Sequence, residues 1–184
     1  MTKGSNGRMA THEEMTELFG ADRVVTLERA VADERGLSEA DTEVLCEVGV
    51  PVFVDVLFIL DTADGGPDPF TVVPVAAGGE ETRILVLGGP TDDPALRYCL
   101  DMERGYVILM SFGEEPQAEI ANRTLADFVE FLYRFALRAK HLEHAAPQDR
   151  GPYTDKLVEY LRARDRYAFA QPDSWWSMVF EQVG

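Results

Sequence analysis

The chain has 184 residues, 46% of them hydrophobic and 27% charged, a composition that excludes a disordered or fibrous protein and suits one globular domain with a real core. Its formal net charge of -16 is unevenly spread: residues 1–122 hold 24 acids against 8 Lys and Arg, whereas residues 123–184 hold 9 of each sign. Such a field repels nucleic acid and anionic membrane and favours basic protein partners, although solubility alone is the plainer use of the same charge.

Residues 1–10, MTKGSNGRMA, read as a flexible lead-in with no apolar h-region, and residues 11–184 as a single domain. Thr11-His12-Glu13-Glu14 has the form of a capping box, in which the threonine oxygen and the Glu14 carboxylate satisfy free amides of a first helical turn. Met15, Leu18 and Phe19 follow as a short apolar face. A second helix is expected from Ser38, with Ala40, Val44, Leu45 and Val48 on one side, until Gly49 and Pro51 stop it.

Residues 53–60, FVDVLFIL, read as one apolar strand, and DTADGGPDP after them is dense in turn formers. Further strands are expected at 71–75, 83–88, 96–101 and 106–110. Their short links favour antiparallel pairing, and Pro74 puts its strand at an edge because proline cannot donate to a ladder. From Thr124 the period changes to 3.6, and Leu125, Phe128, Val129, Leu132, Phe135, Ala136, Ala139 and Leu142 trace a continuous helical face. APQDRGP then reads as a break before a helix over 153–166, and Asp173 as the cap of a last helix carrying Trp175, Trp176, Val179, Phe180 and Val183.

Few residues carry chemistry. Asp101 lies between Cys99 and Glu103, but Met102-Glu103-Arg104-Gly105 has hairpin size with glycine where a left-handed residue is needed, so a turn accounts for it better than catalysis does. His141 and His144 share a helix face without a third ligand or an HExxH pattern, and a helix C-terminus accounts for them without a metal. Asp61, Asp64 and Asp68 lack the bidentate glutamate of a calcium loop. The Gly-rich pieces AAGGEE and LGGP lack phosphate-loop spacing, and no GxSxG elbow occurs. No cofactor, metal or catalytic group is therefore expected. Cys46 and Cys99 fall inside a helical and a strand pattern, where reduced thiols are common. No run approaches the ~18 apolar residues of a membrane span, so a cytoplasmic protein is expected. One of the two tryptophans should pack in the core.

The order of these features is similar to a known family. A helix ending in LCEVGVP, an apolar strand, ILVLGG, the hairpin YCLDMERGYV and then IANRTLADFVEFL resemble the SUKH superfamily of bacterial immunity proteins, most closely its fourth subgroup. Val50 stands where leucine is usual, and Arg123-Thr124 where small hydroxyl residues are common. The resemblance implies an α+β domain: a mostly antiparallel sheet packed by helices, with a long helix after the sheet and C-terminal helices over 152–183. It also implies a non-enzymatic immunity protein that binds a toxin directly, many such toxins being nucleases or nucleic-acid deaminases. These must carry basic surface, which an acidic decoy suits. The expected contacts are loop residues: Asp61, Asp64, Asp92, Asp93, Glu103 and Arg104. The alternative is a regulatory or scaffolding module, homodimeric through Trp175 or Trp176.

Overall fold

The computed structural model describes residues 7–61, 68–112 and 117–184. Three short helices come first, α1 (His12–Phe19), α2 (Arg29–Arg35) and α3 (Glu39–Glu43), the last running into a π-helical turn, Val44–Val48. The Thr11 capping box forms as the sequence predicts: the Thr11 hydroxyl accepts from the Glu14 amide at 3.2 Å, and the Glu14 carboxylate from the Thr11 amide at 2.8 Å. Ser38 caps α3 in the same way. A two-stranded ladder joins β1 (Val24–Val25) to β2 (Val50–Pro51). Gly49 makes that approach possible: at φ 90°, a Cβ there would lie 2.8 Å from Val24 Cγ1 and 2.9 Å from the Val25 carbonyl oxygen.

The main sheet contains β3 (Phe53–Val54), β4 (Phe58–Leu60), β5 (Val72–Ala77), β6 (Glu80–Gly89), β7 (Leu96–Asp101), β8 (Val107–Ser111) and β9 (Gln117–Asn122). All pairings are antiparallel, in the order β3-β4-β6-β7-β8-β9, with β5 on the first half of β6 along the edge whose far end pairs with β4. Pro74 lies on β5, which pairs with β6 alone among the described residues, as its missing donor requires. Then come α4 (Leu125–Leu142), α5 (Pro147–Arg164), a 3₁₀ turn at Tyr167–Phe169 and α6 (Trp175–Val183).

Three local expectations are corrected, and two elements are added. FVDVLFIL is a tight hairpin: Asp55 takes φ 44°, the Leu57 amide donates to the Val54 carbonyl, and Phe53 pairs with Ile59. Aspartate tolerates that left-handed conformation, and the turn leaves Leu57 and Phe58 facing the core while Phe53, Val56 and Ile59 face out. APQDRGP is helical from Pro147, which sits at the first helical position where an amide has no partner to lose. The cap of α6 is Ser174. Helix α2 and strand β9 went unpredicted, because RAVADER buries only Ala32 and QAEIAN is a mostly polar edge.

One apolar core lies between the helices and one face of the sheet. At its centre the Tyr98 ring stands 4.9 Å from Phe128 and 6.0 Å from Phe58, centroid to centroid. Trp176 stacks edge-on against Phe131 at 5.0 Å. Buried polar groups tie the layers together. Glu130 on α4 accepts from the Ala10 amide (2.8 Å), Arg134 (2.7 Å) and the Tyr160 hydroxyl (3.0 Å), joining the N-terminal segment to α4 and α5. Arg138 donates to Thr154 on α5 and to the Val183 carbonyl at the end of α6.

Candidate functional site

The sheet separates the expected contact residues into two groups. Asp61 follows β4, and Asp92 and Asp93 occupy the β6–β7 loop, so these three gather at one end of the sheet. Glu103 and Arg104 lie in the β7–β8 loop at the other end, and the six residues of β7 at ~3.4 Å each put about 17–20 Å between the groups. Asp64 lies outside the described residues.

The first end is held firmly. Asp61 Oδ2 accepts from Arg97 Nε at 3.2 Å, and Arg97 also donates to the Pro94 carbonyl at 2.7 Å. That bridge spans the glycine end of β6, where a Cβ on Gly89 would come within 3.2 Å of the Arg97 guanidinium. Gly88 is still tighter, its absent Cβ lying 2.2 Å from the Ile59 carbonyl oxygen and 2.8 Å from the Phe58 ring. Thr91 donates its amide (3.0 Å) and its hydroxyl (3.3 Å) to the Val56 carbonyl, fixing the β6–β7 loop to the tip of the β3–β4 hairpin. Asp93 caps its own loop by accepting from the Ala95 amide at 3.0 Å. Asp92 is exposed.

At the other end Asp101 is a turn residue. Its carboxylate accepts from the amides of Glu103 (3.0 Å) and Arg104 (2.9 Å), Gly105 takes φ 77°, and Arg104 returns to Asp101 at 3.3 Å. Arg104 also reaches Glu80 at 4.0 Å, an exposed contact worth little. Neither cysteine is poised as a nucleophile: burial pushes the Cys99 thiol up to about 12 and raises that of Cys46. His141 lies stacked on Tyr153 at 4.1 Å, and among the described residues no three His, Cys, Asp or Glu side chains group as metal ligands. The asparagine before the long helix is structural. Asn122 Nδ2 donates to Asp165 at 3.1 Å and its Oδ1 accepts from the Trp176 indole at 2.9 Å, while Asp165 also takes the amides of Arg123 and Tyr167.

The family model of the SUKH-4 immunity proteins matches residues 10–182. The chain belongs to the SUKH-4 immunity protein family. No curated protein and no solved structure matches it significantly. Membership in SUKH-4 implies a toxin partner and a role in immunity to it. The short motifs behind the resemblance sit at folding nodes. Gly49 passes β1, Gly88 passes the hairpin, Asp101 builds its turn, and Asn122 clamps the C-terminal segment. They mark the SUKH-4 fold, and the surface that meets a partner has to be sought elsewhere. No described helix is long and apolar enough to cross a membrane.

Residues 11–48 hold eleven acids and three arginines. The helical segment α1–α3 therefore carries half the net charge, in addition to the acids of the loops. The whole first part of the chain, rather than a few loops, sets the sign of the field.

Proposed function

We propose that this SUKH-4 protein neutralises a basic protein toxin, a nuclease or nucleic-acid deaminase, by binding it directly and covering its substrate groove, with no catalysis or cofactor of its own. The observation that carries this is the gathering of Asp61, Asp92 and Asp93 at one rigid end of a sheet in a chain of net charge -16. A groove that holds nucleic acid is lined by Lys and Arg, so carboxylates presented on fixed loops compete for the same charges and speed the encounter. Glu103, Arg104 and Asp64 belong to the same proposal as a second set of contacts. The encounter takes place in the cytoplasm, where such a toxin would find its substrate. A homodimeric scaffold is less well supported, since Trp176 is fully buried and Trp175 is half-buried against Tyr98.

The test is a pull-down from the native host with the purified protein as bait, at low and then moderate salt, followed by expression of whatever is released. A basic protein that elutes as salt rises, is toxic alone and is tolerated when this chain is co-expressed supports the reading. Recovery of only the bait, or of regulatory proteins harmless when expressed alone, overturns it.

A further inference from the structure

Three large apolar side chains stand in water on one small element. Phe53 is 50% exposed, Val56 56% and Ile59 47%, and all belong to the β3–β4 hairpin. Phe53 and Ile59 are direct cross-strand partners, so their side chains lie side by side on the same face, and Val56 occupies the tip between them. Scattered exposed apolar residues need no explanation, but three on one hairpin call for one.

The hairpin is not floppy. Its inward residues Leu57 and Phe58 are buried, the Tyr98 hydroxyl donates to the Leu57 carbonyl at 3.3 Å, and Thr91 holds the Val56 carbonyl from the neighbouring loop. Beside Ile59 the sheet continues onto Gly89, which has no side chain, so the apolar row runs into a cleft of about 140 Å³ bounded by Pro90, Pro94 and the Asp61–Arg97 bridge. Asp55 lies on the turn itself, and Asp92 and Asp93 follow Thr91 directly. An apolar centre held rigid and ringed by carboxylates has the layout of an interface hot spot with a polar rim, and its rigidity reduces the ordering cost of binding.

Resting on the toxin-binding reading above, we propose that the β3–β4 hairpin is the docking anchor of this protein. Phe53, Val56 and Ile59 would insert against an apolar side chain of a cationic protein surface, while Asp55, Asp61, Asp92 and Asp93 meet the Lys and Arg around it. Charge selects this occupant over a second copy of the chain. Two hairpins meeting about a two-fold axis would bring their acidic rims together on molecules that each carry -16.

The test is photo-crosslinking of the full chain in its native host, with p-benzoylphenylalanine incorporated in place of Phe53, Val56 or, as the remote control, Glu103. The expected result is a crosslink from the first two positions, and not the third, to a protein that mass spectrometry shows to be basic and that is toxic when expressed alone. F53S/I59S should weaken binding of that protein by roughly 30-fold or more while lowering the melting temperature by only a few degrees, since each side chain is about half exposed and contributes mainly its cross-strand pairing to the fold. Crosslinks from Glu103 alone overturn the anchor and leave the immunity reading standing. Crosslinks from Phe53 or Val56 to the chain itself make the hairpin a self-association surface and overturn the proposal. No crosslink from any position overturns both.

Discussion

Replacing Asn122 with alanine removes both sides of a buried polar clamp. Asn122 has no exposed surface, and its amide joins the Trp176 indole at 2.9 Å to the Asp165 carboxylate at 3.1 Å. In N122A the indole N–H is left buried without an acceptor, which costs ~1–3 kcal/mol, and Asp165 loses one of its donors, a bond to a charged group worth ~1.5–3 kcal/mol. Asp165 keeps the amides of Arg123 and Tyr167, so its charge is not stranded, and a total of about 3–5 kcal/mol is expected. For a domain whose stability is ~5–15 kcal/mol, that is a large share. With a urea slope of roughly 2 kcal/mol/M, the unfolding midpoint should fall by about 2 M. The assay is equilibrium urea unfolding followed by tryptophan fluorescence, with circular dichroism as a second probe. A loss below about 1 kcal/mol would refute the reasoning, because the partners would then have found water or each other.

The other predictions concern charge, close approach and caps. Burial raises the Asp41 carboxyl above its ordinary value, against a smaller lowering by the Ser38 hydroxyl. Its stabilising contribution is therefore full below the unfolded value near ~3.9 and is lost as pH rises through the folded one. Asp41→Asn should accordingly be more stable than the parent at pH 7, and urea midpoints should converge as pH is lowered; a gain that grows with acidity would contradict this. Gly88→Ala places a methyl against the Ile59 carbonyl and the Phe58 ring and should cost ~1–3 kcal/mol in the same unfolding assay. Thr11→Ala breaks the capping box and should cost about 1 kcal/mol, with no change in partner affinity by calorimetry. Neutralising Asp61, Asp92 and Asp93 together should weaken partner binding at low salt and flatten its salt dependence, and an unchanged affinity would count against steering by these acids.

What could be read from sequence was whatever had a local cause. The Thr11 box, the Ser38 cap and the apolar face of α4 depend on residues three or four apart, so pattern alone finds them. Asp101 was legible as a turn residue because Gly105 stands where the loop needs it. The split of FVDVLFIL was not, since one aspartate in an apolar run reads as an outward-facing strand residue until its φ is known. That misreading also concealed the hairpin: in a straight strand, Phe53, Val56 and Ile59 do not fall on one face, whereas the turn gathers them. Helix α2 and strand β9 bury too few apolar residues to show a period. The acids were visible one by one, and the strand at 96–101 that parts Asp92 from Glu103 was legible with the bounds it has in the fold, whereas the bridge from Asp61 to Arg97 joins residues 36 apart and belongs to the fold.

Silencing of the partner by covering it, as proposed, is tested most directly by a titration of the isolated toxin's activity against the purified chain. The expected result is an immediate loss of activity that reaches completion at equimolar chain and is restored when the two are separated in high salt. Loss of activity at substoichiometric chain, growing with time and surviving separation, would make the protein a catalyst that destroys its target and would overturn occlusion as the mechanism.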